Sequence, residues 1–218
     1  MNEAREEILR RLRSGLRVGL LPGAAAEHPV LAFATQEGGA ERFTIELEKL
    51  SGRVIRAQTR QDARRTVVDL FAEYGWKQAL VWERTLREHP GLTEALQQAG
   101  VSLLTSGEIT TLSHAPVGIT GAQAGLADSG TLVLQNLPGQ PAPMSLLPEV
   151  HVALLSARDI YPNLQNYLDA LDSPAGTVSA SSNTVFITGP SRTADIELSL
   201  TVGVHGPGKL VVILWDSE

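Results

Sequence analysis

Residues 61–82 read QDARRTVVDLFAEYGWKQALVW, and this stretch decides the fold class. A helix is expected from Gln61 to Tyr74, with Gly75 supplying the left-handed residue that ends it. Ala79-Leu80-Val81-Trp82 then reads as a buried strand. The same grammar extends in both directions. Upstream, a helix from Glu41 to Leu50 precedes a short strand at Val54-Ile55. Downstream, a helix over residues 92–99 stops at Gly100 and leads into the strand Val101-Ser102-Leu103-Leu104. The strands are continuous apolar runs and alternate with helices, the pattern of a parallel sheet covered on both faces.

The second half repeats the scheme with more loops. Val117-Gly118-Ile119-Thr120 reads as a strand ending at Gly121, followed by a short helix from Ala122 to Ala127. Gly130 to Leu134 and Val150 to Leu155 are further strands. Residues 158–171 read as a helix, with Ile160, Leu164, Tyr167, Leu168 and Leu171 on one side. Residues 173–182, rich in Ser, Gly and Ala, suit a mobile loop. Strands at 184–188 and 209–215 are expected to complete the sheet. The fold class is therefore α/β, a mostly parallel sheet sandwiched by helices.

Residues 2–14 form an amphipathic pattern, with Ile8, Leu9, Leu12 and then Leu16 on one side, able to pack onto the domain or to dock on a partner. Residues 15–40 carry the breakers Pro22-Gly23 and Gly38-Gly39 and read as an arm or lid. The expected organisation is an N-terminal helix and arm over 1–40 and a single α/β domain over 41–218.

Composition narrows the function. The chain has 218 residues, enough to bury roughly 70% of the surface its unfolded form exposes. A net charge of −6 argues against a nucleic-acid partner, which needs a basic face to displace phosphate counterions. Arg60, Arg64 and Arg65, with Asp62 and Asp69 close by, read as a solvated helix face. There are no cysteines, so the chain offers no disulfide, thiolate nucleophile or cysteine-ligated cluster. No run approaches the ~18 apolar residues of a membrane span, and the acidic start Met-Asn-Glu-Ala-Arg-Glu-Glu is unlike a signal peptide. A cytoplasmic location is expected.

Walker-type, G-x-G-x-x-G, G-x-S-x-G and H-E-x-x-H motifs are all missing. The chemistry gathers elsewhere. Gly121, between a strand and a helix start, offers backbone N–H groups to an anion, or simply tight packing. Asp128-Ser129-Gly130-Thr131 makes a turn whose carboxylate and hydroxyls would face the same sheet end. His151, on a buried strand, reads first as a hydrogen-bonded core residue.

Residues 189–207, GPSRTADIELSLTVGVHGP, are the densest stretch. Ser191 or Thr193 can cap a helix whose first turn carries Asp195. Arg192 at such a position is unfavourable to the helix dipole unless an anion lies near. That anion is either a carboxylate (Asp195, Glu197 or Asp128) or a ligand held by the planar guanidinium fork. His205, between Gly203 and Gly206-Pro207, is either an acid–base group or a loop-fixing hydrogen bonder. The candidate catalytic residues are thus Asp195 and His205. The candidate ligand-binding residues are Gly121, Asp128, Gly130, Thr131, Ser191, Arg192 and Thr193. No metal site and no cofactor are expected.

Taken together, Val117-Gly-Ile-Thr-Gly-Ala122, Ala127-Asp-Ser-Gly-Thr-Leu-Val-Leu134, Leu147-Pro-x-x-His151, Gly189 to Glu197 and Gly203 to Pro207 resemble the LUD-domain proteins. Within that family the chain is most similar to the short lactate utilisation protein C type. The matching motifs span residues 116–214, while the first hundred residues match in length and layout. Where the family commonly has Ala-Glu-Thr-Gly-Thr, this chain has Ala127-Asp-Ser-Gly-Thr131, with the chemistry kept and the acid shortened.

The resemblance implies a fold similar to the sugar-phosphate isomerase and CoA-transferase-like group. It also implies a role in a three-protein bacterial system oxidising L-lactate to pyruvate, whose partner proteins carry iron–sulfur clusters. Joined to the residue reading, this makes the chain an accessory, non-redox component holding a small anionic metabolite at Arg192 and the Gly121 loop. The alternative is a stand-alone acid–base enzyme acting on a phosphorylated or carboxylated metabolite.

Overall fold

A computed structural model describes residues 6, 7, 9–11, 38–107, 112, 114–171, 183–194, 200–203 and 205–217. The chain divides into two compact units, Met1–Ala34 and Thr35–Glu218. In the first, residues 6, 7 and 9–11 are helical. There Glu7 accepts hydrogen bonds from Arg10 and Arg11 at 2.8 Å, one turn away on the same helix face.

The second unit opens with α1 (Gly39–Lys49), β1 (Arg53–Thr59), α2 (Arg60–Tyr74), β2 (Gln78–Val81), α3 (Glu83–Glu88), α4 (Leu92–Gln98) and β3 (Ser102–Leu104). It continues with β4 (Val117–Gly121), β5 (Ala124–Leu126), β6 (Thr131–Gln135), α5 (Pro143–Leu146), β7 (Val150–Ser156), β8 (Ile160–Tyr161), α6 (Leu164–Leu171), β9 (Thr184–Ile187), β10 (Arg192–Ala194), β11 (Leu200–Val202) and β12 (Lys209–Ser217). A single 3₁₀ turn, Ala157–Asp159, joins β7 to β8.

Six strands form an all-parallel sheet in the order β1-β12-β7-β4-β2-β3. The continuous apolar runs follow from this placement. On β12, Val211, Ile213 and Trp215 face one core with Val67, Leu70 and Phe71 of α2 and Leu92 and Leu96 of α4. The intervening Leu210, Val212 and Leu214 face the other core, with Phe43 and Leu47 of α1 and Met144 of α5. Both side-chain rows are buried, so the usual period-two alternation disappears. Helix α2 is started by a reciprocal capping box between Thr59 and Asp62 and ends on Gly75 at φ +68°.

Three expectations are corrected. The short helix foreseen from Ala122 to Ala127 is strand β5, because Gly125 must lie against the Phe43 and Leu155 side chains, where a Cβ would come within 3.1 and 2.9 Å of them. The strands foreseen at 130–134 and 184–188 do not join the parallel sheet. They form, as β6 and β9, a second four-stranded sheet in the order β8-β5-β6-β9, and Leu132 and Leu134 of β6 pack into the core beneath α1. The helix foreseen after Ser191 begins instead as strand β10, paired antiparallel to β11 with Arg192 opposite Val202. Residues 173–182, expected as a loop, lie outside the described residues.

Candidate functional site

Most residues singled out in the sequence collect at the amino-terminal edge of the parallel sheet. Ser191 donates its N–H to the Pro207 carbonyl at 2.8 Å and accepts from the Gly203 N–H at 3.0 Å, so the two Gly-Pro loops are stitched together. Arg192, exposed at the start of β10, donates Nη2 to the Leu50 carbonyl and, at 3.1 Å, to Ser51 Oγ. Those acceptors end α1. Ser51 adopts φ +68°, its N–H reaches the Glu48 carbonyl and the Gly52 N–H reaches the Leu47 carbonyl. This is a left-handed helix stop with serine where glycine is usual. Arg192 thus lies at a helix carboxyl end, where the dipole favours a cation.

Thr193 pairs with Thr201 across the β10–β11 hairpin. Asp195 and Glu197 lie outside the described residues. Thr131 Oγ1 lies 2.8 Å from both Ser129 Oγ and Thr188 Oγ1. Gly130, at φ +62°, packs its backbone onto that of Leu47. Asp128 is exposed, with its N–H on the Pro162 carbonyl at 3.0 Å. His205 is exposed and, with Ser191 and His151, lines a pocket of about 200 Å³. His151 itself is 1% exposed. Its Nε2 meets Thr120 Oγ1 at 2.8 Å, and burial pushes its pKa down to about 4.

Gly121 stands apart. Strand β4 runs from Val117, level with Val150 and Lys209, to Gly121, level with Leu154. Four residues of strand, roughly 13 Å at ~3.3 Å per residue, separate it from the Ser191–Pro207 edge. Its expected anion nest is also filled by the chain. The N–H of Gly121 donates to Thr85 Oγ1 at 2.7 Å, that of Ala122 to the Leu154 carbonyl and that of Gln123 to the Val133 carbonyl, each at 2.9 Å. With β5 a strand, the positive helix end is missing as well.

What surrounds Gly121 is more informative than its backbone. A cavity of about 390 Å³ opens at the carboxyl ends of the parallel strands, lined by Arg60, Arg84, His89, Gly121, Arg158 and Trp215 among others. This is where open α/β sheets place ligands, because loops and helix starts converge there without covering the strand ends. Arg60 is the first residue of α2, over the Trp215 ring at 5.7 Å, with Nη1 on the Glu88 carbonyl at 3.0 Å. Arg84 of α3 holds the Glu88 carboxylate at 2.5 Å, and Arg158 comes from the 3₁₀ turn after β7.

Two polar groups in this lining have no hydrogen-bond partner among the described residues. His89 is 3% exposed, its Nδ1 is unpartnered and its ring stands edge-on to Trp215 at 5.1 Å. Trp215 is 6% exposed and its indole Nε1–H is likewise unpartnered. Burial, then the charges of Arg60 and Arg64, push the His89 pKa down to about 4, so the imidazole is neutral at pH 7. Three guanidiniums against the carboxylates of Glu88 and Asp159 leave the cavity wall net positive. The arrangement can bind an anion. Among the described residues no group of three or more His, Asp or Glu side chains comes close enough to hold a metal ion.

The sequence holds a signal for this cavity at the start of α2. A cation on the first turn of a helix opposes the dipole and asks for a nearby anion. Arg192 precedes no described helix. Arg60 opens a fifteen-residue one and fits that description.

A family model described as LUD domain matches residues 40–215. The chain belongs to the LUD-domain family. Among its relatives is a lactate utilization protein C of Halalkalibacterium halodurans, 34% identical over 167 residues that cover 74% of this chain and 73% of the relative. A lactate utilization protein C of Anoxybacillus flavithermus is 35% identical over 157 residues, 70% of each chain. The crystal structure of a DUF162 family protein from Deinococcus radiodurans shares the fold, with TM-score 0.61 over 84% of this chain and 99% of that one, at 15% identity. In this LUD domain, the motif residues Gly130, Gly189 and Arg192 lie against the carboxyl end of α1, and Ser191 joins Gly203 and Pro207 just before β12.

Proposed function

We propose that this LUD-domain chain is an accessory, non-redox component of a bacterial system that oxidises L-lactate to pyruvate, working beside iron–sulfur subunits and holding a small anionic metabolite. Two facts support the lactate role: the relatives bear the name lactate utilization protein C, and the chain has no cysteine with which to ligate a cluster. Electron carriage then falls to partners. The observation that carries the metabolite-binding part is the arginine-lined cavity at the carboxyl ends of the parallel strands. The anion expected at Gly121 would be held there by side chains around that residue rather than by its N–H.

The test is genetic and physical together. In the native organism, deletion of the gene should abolish growth on L-lactate, and the wild-type gene should restore it. Arg158→Gln, which alters an exposed cavity arginine, should not. A tagged chain should co-purify with cysteine-rich iron–sulfur proteins. Unimpaired growth of the deletion strain on L-lactate would refute the role.

A second reading, an acid–base enzyme, rests on His205, exposed at a pocket beside Ser191. In it Asp195 or His205 would move the proton. Turnover of acyl or sugar phosphates by the purified chain, lost in His205→Asn, would establish it.

A further inference from the structure

We infer that the ligand of the carboxyl-edge cavity is a phosphate ester of a small organic molecule rather than lactate or pyruvate. This rests on the anion-site reading above and narrows it to a ligand class. The first argument is size. Lactate and pyruvate displace roughly three or four waters, ~100 Å³ at about 30 Å³ per water. The cavity holds about 390 Å³, space for a phosphoryl group and a carbon skeleton attached to it.

The second argument is the number and origin of the cations. Arg60, Arg84 and Arg158 come from three separate elements, the start of α2, α3 and the turn after β7. A carboxylate presents two oxygens in one plane, a geometry matched by a single guanidinium fork. A phosphoryl group presents three oxygens on a tetrahedron and up to two charges, and so can face cations from several directions.

The third argument is the polarity of the unpartnered groups. Trp215 Nε1–H is a donor and cannot accept. His89 is neutral, and its Nδ1 donates when it carries the ring proton. A buried donor left without an acceptor is costly, so the lining suits a ligand rich in acceptor oxygens. A phosphate ester supplies them.

The experiment is a calorimetric titration of the full chain with glycerol 3-phosphate, inorganic phosphate and L-lactate, at low salt to limit screening. Intrinsic tryptophan fluorescence is followed in parallel in wild type and Trp215→Phe. The expected result is saturable binding of glycerol 3-phosphate, at least tenfold tighter than L-lactate. Arg60→Gln or Arg158→Gln should weaken it at least tenfold, with thermal unfolding of Arg158→Gln unchanged. The fluorescence response should vanish in Trp215→Phe. Binding of L-lactate with none of either phosphate would overturn the phosphate inference and leave the anion site standing. Binding of none of the three would overturn both. Phosphate binding of equal strength in both arginine variants would place the site elsewhere and overturn the inference.

Discussion

Gly130→Ala and Gly75→Ala form a matched pair that separates backbone conformation from close approach. Both glycines occupy the left-handed region, at φ +62° and +68°. A side chain therefore costs roughly 1 kcal/mol at either position for conformation alone. Beyond that they differ. A Cβ on Gly75 meets nothing within 4 Å, whereas one on Gly130 would lie 2.3 Å from the Leu47 backbone nitrogen and 2.7 Å from its Cα. Those atoms belong to α1, which Phe43 and Leu47, both 0% exposed, lock into the core. An ordinary contact needs about 1 Å more, so either the turn or the helix must move.

Overpacking of this kind typically costs 1–3 kcal/mol. The expected losses are about 1 kcal/mol for Gly75→Ala and roughly 2–4 kcal/mol for Gly130→Ala. Urea unfolding of the two variants beside wild type measures the gap directly. At about 2–4 °C per kcal/mol for a chain of this size, the Tm of Gly130→Ala should lie roughly 2–12 °C below that of Gly75→Ala. Losses equal within about 0.5 kcal/mol would refute the close-approach account of the Asp128–Thr131 turn and reopen a ligand role for Gly130.

Acid should weaken the fold through two histidines. His89 and His151 have pKa values pushed down to about 4 in the folded chain, against an ordinary value near 6.5. Between those limits the unfolded chain binds more protons. Their contribution is complete above pH 6.5 and lost as the pH falls toward 4, by up to ~1.4 kcal/mol per pH unit for each. Urea unfolding at a series of pH values should show the slope reduced in His151→Asn, and an unchanged slope in both His151→Asn and His89→Gln would rule the mechanism out. Arg192→Ala, which removes the donor from the last turn of α1, should cost about 1 kcal/mol and leave anion binding by the cavity intact. Loss of anion binding with unaltered stability would return the ligand to Arg192.

The sheet was legible because its signals are local. The helix over 60–74 is fixed by Thr59, Asp62 and Gly75, which act within a few residues of one another. The buried strands declare themselves as runs such as Leu210 to Leu214, apolar on both faces. The errors fell where the deciding contact is distant. Nothing near residues 122–127 announces that Gly125 must lie against Phe43, some eighty positions earlier. Residue spacing likewise cannot show that Arg192 reaches Leu50. The candidate cavity was legible only at Gly121, since Arg60, the Arg84–His89 helix, Arg158 and Trp215 belong to four separate stretches that the strand order brings together.

What the sequence by itself determined is the alternation of helix and buried strand, the helix caps and the family motifs, because each depends on spacing along a few residues. Tertiary structure decided which strands share a sheet, that Arg192 reaches a helix end, and that three arginines line the cavity around Gly121. Those outcomes depend on strand order and on charges meeting across long separations, and neither is written in any single segment.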